Sequence, residues 1–578
     1  MLKLYKHLKP YWLQLILMSV FTFLQVMATL QLPDYMAKIV NEGIINQDES
    51  LVWSNGAAMV LVTAAGAVCT IISGYLAARV AIGFAKDLRQ KVFYKVQEFS
   101  LAEFNKFSTA SLITRSTNDV QQIQLVTAMA FRMLLSAPIT AVVAVAKAVH
   151  LAPSMSWIMA IAVAALVTVI VTLFSVAIPK FTKLQELVDK LNLVARQALT
   201  GLRVIRAFNT EKYEEAKFAK VNTELTNTNL FVNRLMVIMQ PVMMLIFNIT
   251  AIGIIWVGSH LISTNDLQIG DMLAFMQYSM QVIMSFLLIS IMFIMIPRAA
   301  VSGKRINEVL SSDSMIKDPE DPKKPDKKVK GKVEFRKVTF AYPGADSAVL
   351  NNISFIAEPG KTTAFIGSTG SGKSSLINLI PRFYDVTSGM VLVDDVNVRD
   401  MTQKDLRSRL GLVPQKGVLF SGTVNTNIKY GDQNATDADI QIAAQTAQAT
   451  EFIEKLEQRF NAPISQGGTN VSGGQRQRLS IARALVRKPE IYIFDDSFSA
   501  LDFKTDRALR KALGEKVREA TVLVVAQRIG TVLQADQIIV LDEGEIAGIG
   551  THEELMQTNA IYKEIALSQL SEKELANY

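Results

Sequence analysis

Residues Gly367-Ser368-Thr369-Gly370-Ser371-Gly372-Lys373-Ser374 read GxxxxGK[ST]. Before them, Thr362-Thr-Ala-Phe-Ile366 is a short apolar run with strand character, and after them Ser375-Leu-Ile-Asn-Leu-Ile380 opens a helix. A strand, a glycine loop and a helix N-terminus make a phosphate cradle, because successive backbone N–H groups and the helix dipole point at the anion. The glycines let the backbone approach closely. In this pattern Lys373 reaches the β- and γ-phosphates and the Ser374 hydroxyl holds Mg²⁺. The alternative is a Gly/Ser-rich turn that matches by chance, and the sequence around it argues against that.

From Lys332 onward, short β runs alternate with helical stretches, which predicts an α/β domain. Val413-Pro-Gln415 follows the cradle, and then Asn470-Val-Ser472-Gly473-Gly474-Gln475 precedes a helical stretch. The apolar strand Ile491-Tyr-Ile-Phe494 ends in Asp495-Asp496. An apolar strand ending in Asp downstream of a phosphate loop is the usual second half of a Mg²⁺–nucleotide site. Tyr342 lies just after Val333–Phe340, placed either to stack on a nucleotide base or to fill the core.

The first half is different in kind. The chain has 578 residues, too many for one core. Half of them are hydrophobic (50%), only 19% are charged, and the mean hydropathy is +0.25, which points to membrane segments. The formal net charge of +8 suits either a nucleic acid or a membrane surface. Because the basic residues flank hydrophobic runs instead of forming one basic domain with interleaved aromatics, the membrane is favoured and no nucleic acid is expected. A single cysteine, Cys69, excludes a disulfide framework within the chain. The first hydrophobic run is too long for a signal peptide, and no small-residue cleavage site follows it.

After a basic stretch with Lys3, Lys6, His7 and Lys9, expected as a short interfacial helix, hydrophobic spans are expected near 12–33, 56–79, 127–149, 156–179, 236–258 and 271–296. Arg79, Lys86, Arg89, Lys91, Lys95, Lys106 and Arg115 lie between the second and third spans. Lys180, Lys183, Lys190, Arg196, Arg203 and Arg206 lie between the fourth and fifth. Positive residues stay inside, so these loops, both termini and the α/β domain are expected in the cytoplasm. Two patches, Ser111–Val120 and Gly201–Thr210, mix apolar anchors with charge at helical-hairpin tips. They read either as docking points for a cytoplasmic partner or as ordinary solvated loops.

Within the spans, Met272, Met276, Met280 and Met284 recur every four residues, with Gln277 and Gln281 beside them, and Met239, Met243, Met244 and Asn248 mark the fifth span. A methionine stripe suits varied apolar ligands, and it equally suits helix packing or lipid contact. Arg132 and Lys147 in the third span imply a wet cavity or a partner, with snorkelling open to Lys147. Between the halves, residues 311–331 are rich in proline and charge and read as a solvated linker. The expected domains are therefore 1–310 in the membrane, 311–331 as linker and 332–578 as the α/β domain.

These motifs, in this order and over essentially the whole length, resemble the ABC exporters: six membrane helices of the type I exporter kind followed by a P-loop ABC ATPase cassette. The resemblance implies ATP and Mg²⁺ as cofactors, with residues 367–374 as Walker A, Ser375 beside it, Tyr342 near the base, Gln415 as Q-loop and Ser472–Gln475 as signature. It further implies Asp495 as Walker B carboxylate and Asp502 in the D-loop, with Ser374, Gln415 and Asp495 around the metal. Two cassettes are implied to close head to tail, each ATP lying between one Walker A and the opposite chain's signature. The two cytoplasmic patches match the family's coupling loops.

The departures are informative. Most members have Glu after the Walker B Asp; here it is Asp496, one methylene shorter. A displacement of about 1 Å can cost on the order of 10²-fold in rate. Most have His in the switch region; here it is Gln527, which donates a hydrogen bond but carries neither the proton nor the charge of histidine. Gln466 stands where many exporters have Glu. With the signature intact, this pattern resembles the degenerate subunit of heterodimeric bacterial multidrug exporters. The expectations are a cytoplasmic-membrane location in a bacterium and a different half-transporter partner with an intact Walker B Glu and switch His. Hydrophobic or cationic small-molecule substrates are expected. A homodimeric lipid or peptide exporter and an ATP-gated channel remain as alternatives.

Overall fold

A bilayer offers no hydrogen-bond partners, so an apolar run within it must satisfy its own backbone as a helix. Accordingly, the computed structural model contains six helices long and apolar enough to cross a membrane. It describes residues 2–325 and 330–570; Met1, residues 326–329 of the expected linker and residues 571–578 lie outside the description. The six long helices are Trp12–Lys38, Glu49–Gln97, Asn118–Leu151, Ser156–Thr200, Glu211–Ser263 and Ile269–Leu310. Each contains or closely overlaps an expected span. Most run well beyond it, the helix continuing from the apolar run into polar sequence.

Several polar side chains inside this helical unit are paired across helices. Thr22 and Ser73 share a hydrogen bond of 2.7 Å between the first and second helices. Lys147 pairs with Asp34 and lies 6.0 Å from the Tyr278 ring centroid. The Tyr278 hydroxyl donates to Asp34 and, at 3.0 Å, to the Leu30 carbonyl. Lys147 therefore has a partner from the first helix, where snorkelling was the alternative.

The chain divides into two compact units, one of Met1–Gln97 with Ala110–Ser312, the other of Glu98–Thr109 with Asp313–Tyr578. Residues 98–109 group with the cassette, and the reason is visible in their side chains. Ser100 and Glu103 form a capping box that starts the short helix Leu101–Phe107. Glu103 also accepts the Met315 backbone N–H at 3.1 Å, Asn105 Nδ2 donates to the Tyr384 hydroxyl at 3.4 Å, and Ala102 packs against the cassette core. Residues 98–109 lie in the second unit, while Ser111–Val120 lies in the first. There Ser302 Oγ donates to Asp119 at 2.8 Å, and Arg115 bonds the Arg305 carbonyl at 2.6 Å and Glu308 at 3.0 Å. The second patch forms the short helix Leu202–Ala207, with Val204 and Phe208 exposed.

The cassette strands are β1 Val333–Phe340, β2 Leu350–Ala357, β3 Thr362–Gly367, β4 Ser388–Val393, β5 Val396–Asn397, β6 Leu410–Val413, β7 Gly422–Thr423, β8 Pro463–Ile464, β9 Ile491–Asp495, β10 Thr521–Val525, β11 Gln537–Asp542 and β12 Glu545–Gly550. An antiparallel sheet has the order β2-β1-β4-β5, a larger one β12-β11-β3-β10-β9-β6, and β7 pairs with β8. In the larger sheet β6, β9, β10, β3 and β11 run parallel. Their apolar side chains are buried on both faces, which is why β9 reads as a nearly unbroken apolar run up to Asp495. All five end at one edge of the sheet, where ligands bind in open α/β folds.

Candidate functional site

At that edge, β3 hands over to the glycine loop and then to the helix Lys373–Leu379. Gly372 sits at φ +94°, and a Cβ there would lie 2.6 Å from Leu350 Cδ2, so neither the backbone angle nor the space admits a side chain. Ser368, Thr369 and Gly370 are exposed, leaving the cradle open. Lys373 Nζ turns back onto the loop, donating to the carbonyls of Gly367 at 2.9 Å and Ser368 at 2.7 Å. Burial lowers its pKa, and the neighbouring Asp496 and Asp495 carboxylates oppose that shift. A phosphate would replace these carbonyls as the ammonium's partner.

Parallel pairing of β9 with β10 sets Asp495 beside Val525, so the two acidic residues emerge next to the segment carrying Gln527. Ser374 Oγ donates to Asp495 Oδ1 at 3.1 Å. Burial raises the Asp495 pKa, the Ser374 hydrogen bond acting against it. A hydroxyl next to a carboxylate fits Mg²⁺, a hard cation that takes a few protein oxygens and completes its shell with phosphate and water. No cluster of three or more His, Cys, Asp or Glu occurs among the described residues. Ser374 and Asp495 would hold the ion, which would neutralise phosphate charge.

Asp496 is the centre of a small network. Its backbone is left-handed, with φ +45°, a conformation that aspartate tolerates better than most residues. Its N–H donates to the Val525 carbonyl at 3.0 Å. Gln527 Nε2 donates to its Oδ2 at 2.9 Å, and Gln415 Nε2 donates to the same oxygen at 3.4 Å. Burial raises its pKa, with the Gln415 and Ser499 hydrogen bonds opposing. The structure therefore brings both departures from the family pattern, Asp496 and Gln527, together with Gln415 on one carboxylate.

Tyr342 serves two ends at once. Its hydroxyl shares a 2.8 Å hydrogen bond with Ser375 Oγ, and its ring lies edge-on to Tyr384 at 5.2 Å and to Phe340 at 4.9 Å. Asp502 accepts the Thr505 N–H at 2.9 Å and so caps the helix Phe503–Lys516. Ser472 and Gln475 form a reciprocal capping box that starts the helix Gly473–Val486. No described hydrogen bond or ion pair links Ser472–Gln475 to the glycine loop of the same chain. The methionine stripe does not act as one surface: Met272 and Met276 pack into the helical core, while Met280 and Met284 are exposed.

Two contributors escaped the sequence reading. Gln569, on the helix Ala560–Gln569, donates to the Gln527 carbonyl at 2.9 Å and accepts the Ile529 N–H at 2.8 Å, fixing the switch segment. No motif marks it. Ser100 and Glu103 did carry a signal, the S-x-x-E capping pattern ahead of a short apolar stretch.

Family comparison agrees with this architecture. Residues 15–286 match the ABC transporter transmembrane region, and residues 350–499 match the ABC transporter cassette. An uncharacterized ABC transporter ATP-binding protein of Mycobacterium tuberculosis is 42% identical over 98% of this chain and 97% of its own length. An ATP-dependent lipid A-core flippase of Pseudomonas aeruginosa is 31% identical over 99% of this chain and 96% of its own. Among solved structures, a bacterial Atm1-family ABC exporter with ATP bound superposes with a TM-score of 0.80 at 25% identity, covering 98% of this chain and 99% of that one. The chain belongs to the ABC transporter family, as a half-transporter with the exporter fold: a six-helix membrane domain fused to one ATPase cassette that couples ATP hydrolysis to transport.

Proposed function

We propose that this chain is the degenerate-site half of a heterodimeric exporter of hydrophobic or amphipathic compounds in a bacterial cytoplasmic membrane, with the cassette and both termini inside. The observation that carries this reading is the Asp496 carboxylate, held by the Gln527 and Gln415 amides at 2.9 and 3.4 Å. A general base must accept a proton from water, and a switch residue must respond to the γ-phosphate. Here the shorter acid is engaged by an amide that neither accepts that proton nor carries charge.

In this reading the cradle from Gly367 to Ser375 binds ATP, Lys373 leaves its loop carbonyls for phosphate oxygens, and Tyr342 sits against the base. Ser374, Asp495 and Gln415 serve the metal. Ser472, Gly473, Gly474, Gln475 and Asp502 complete the competent site of a different half-transporter whose Walker B Glu and switch His are intact. A second reading has one specific support, the 31% identity to lipid A-core flippases, and makes the substrate a lipid.

The test is Mg²⁺-ATP hydrolysis by the purified full chain, beside the double substitution Asp496→Glu with Gln527→His. The expected outcome is a nearly silent native chain and a gain of about 10²-fold in the double variant. Hydrolysis by the native chain alone at a transporter-like rate would overturn the heterodimer reading and leave a homodimeric exporter.

A further inference from the structure

The membrane unit has a half-open cavity of about 560 Å³ whose described lining carries one charge. It is lined by Gln25 of the first helix, Ala77 of the second, Met129, Arg132 and Ser136 of the third, and Leu288 of the sixth. The volume lies within the range of ligand sites, roughly 300–1,000 Å³. Most of the wall is apolar, and no acidic residue contributes to it. Arg132 lies roughly 20 Å along its helix from Asn118, at about 1.5 Å per residue, well inside the apolar run.

Among the described residues Arg132 makes no hydrogen bond or ion pair, and in this it differs from Lys147 on the same helix, which has Asp34. A cation at membrane depth is costly unless it meets a partner or a polar cavity. A guanidinium is a rigid fork of donors that matches carboxylate and phosphate oxygens. Gln25 and Ser136 add an amide and a hydroxyl to the same wall. An apolar cavity with one unpaired guanidinium is complementary to a molecule that is apolar along its length and anionic at one end. A cationic amphiphile of the same length would meet repulsion there.

We propose that this cavity binds amphiphiles with a phosphate or carboxylate headgroup, the headgroup on Arg132 and the tail along Ala77, Met129 and Leu288. The inference rests on the exporter reading above and narrows its substrate class from hydrophobic or amphipathic compounds to anionic amphiphiles, in place of the cationic compounds expected from the sequence. A bilayer phospholipid and a free amphiphile both carry this chemistry.

The test is equilibrium binding of radiolabelled dodecyl phosphate to the full-length chain in phosphatidylcholine nanodiscs, with empty nanodiscs as background. Arg132→Gln is expected to weaken binding about tenfold or more, as loss of a charged hydrogen-bond donor implies, and Arg132→Lys to keep most of it. ATP affinity, unchanged in both, checks folding. Dodecyltrimethylammonium is expected not to compete. Phosphatidylglycerol that competes identifies a bilayer lipid as occupant, and phosphatidylglycerol that fails to compete identifies a free amphiphile; either outcome supports the anionic site. Equal binding by Arg132→Gln, or equal competition by the cation, overturns it. If Arg132→Gln loses ATP binding, the cation competition on the native chain decides. Binding requires no hydrolysis, so a failure of the exporter reading in the ATPase assay and a failure here are separate results.

Discussion

Ser472–Gln475 and Asp496–Gln527 belong to one cassette, yet their side chains are engaged in opposite ways. In the signature segment, Ser472 and Gln475 spend their polar atoms on each other and on the helix start, leaving the exposed Gly473 N-terminus open toward solvent. In the Walker half, Asp496 is occupied by two amides and Lys373 by its own loop. An open helix N-terminus is ready for a phosphate from elsewhere. A carboxylate already satisfied by neutral donors is poorly placed to activate water. Under the function proposed above, the contrast makes one polypeptide a strong contributor to another chain's chemistry and a weak one to its own.

The largest effect should fall on the open half. In the assembled pair, Ser472→Ala is expected to lower ATP turnover by about 10²-fold, the scale of losing one preorganised donor, while Asp496→Asn changes it little. Equal losses in steady-state hydrolysis would erase the distinction. An intermediate effect is expected where the Walker half is braced. Gln569→Ala removes two hydrogen bonds from the switch segment and should cost about 1–2 kcal/mol of cassette stability. A lower denaturation midpoint with unchanged ATP affinity would place Gln569 in the scaffold.

The smallest effect concerns pH. His552 starts the helix His552–Thr558 beside the Tyr562 hydroxyl at 2.8 Å, and burial lowers its pKa below the ordinary 6.5. The folded state then binds fewer protons than the unfolded one just below that value, so cassette stability falls as pH drops through 6.5 and levels off below the folded pKa. Thermal denaturation of the full chain at pH 7.5 and 5.5 should show this, and His552→Gln should flatten it. A variant with the native slope would remove His552 as the cause.

How much of this was legible beforehand depended on the range of the signal. The six helices and the phosphate loop follow from local pattern: apolar runs of sufficient length, and glycines between a strand and a helix. Asp496 and Gln527 were legible together as departures at one nucleotide site, but their direct hydrogen bond arises from β9–β10 pairing between separate segments. Gln569 is an ordinary glutamine whose role exists only because its helix returns to the switch segment. The capping signal at Ser100 and Glu103 is local, but the contacts that tie residues 98–109 to Met315 and Tyr384 join segments far apart in the sequence. Arg132 was flagged by depth alone, whereas its cavity needed four helices.

The fifth helix carries a mechanical consequence. Its 53 residues make a rod of about 80 Å, of which about 30 Å fits within hydrocarbon, leaving about 50 Å outside. Pro241 removes one backbone hydrogen bond within the apolar part and puts the compliant point there, while Glu211–Gln240 continues without proline. Such a rod acts as a pointer. A tilt of about 5° at Pro241 swings its far tip by about 4 Å, given about 45 Å of proline-free helix. A spectroscopic label near Thr210 would therefore report gating movements magnified, and one near Ser263 would report almost none.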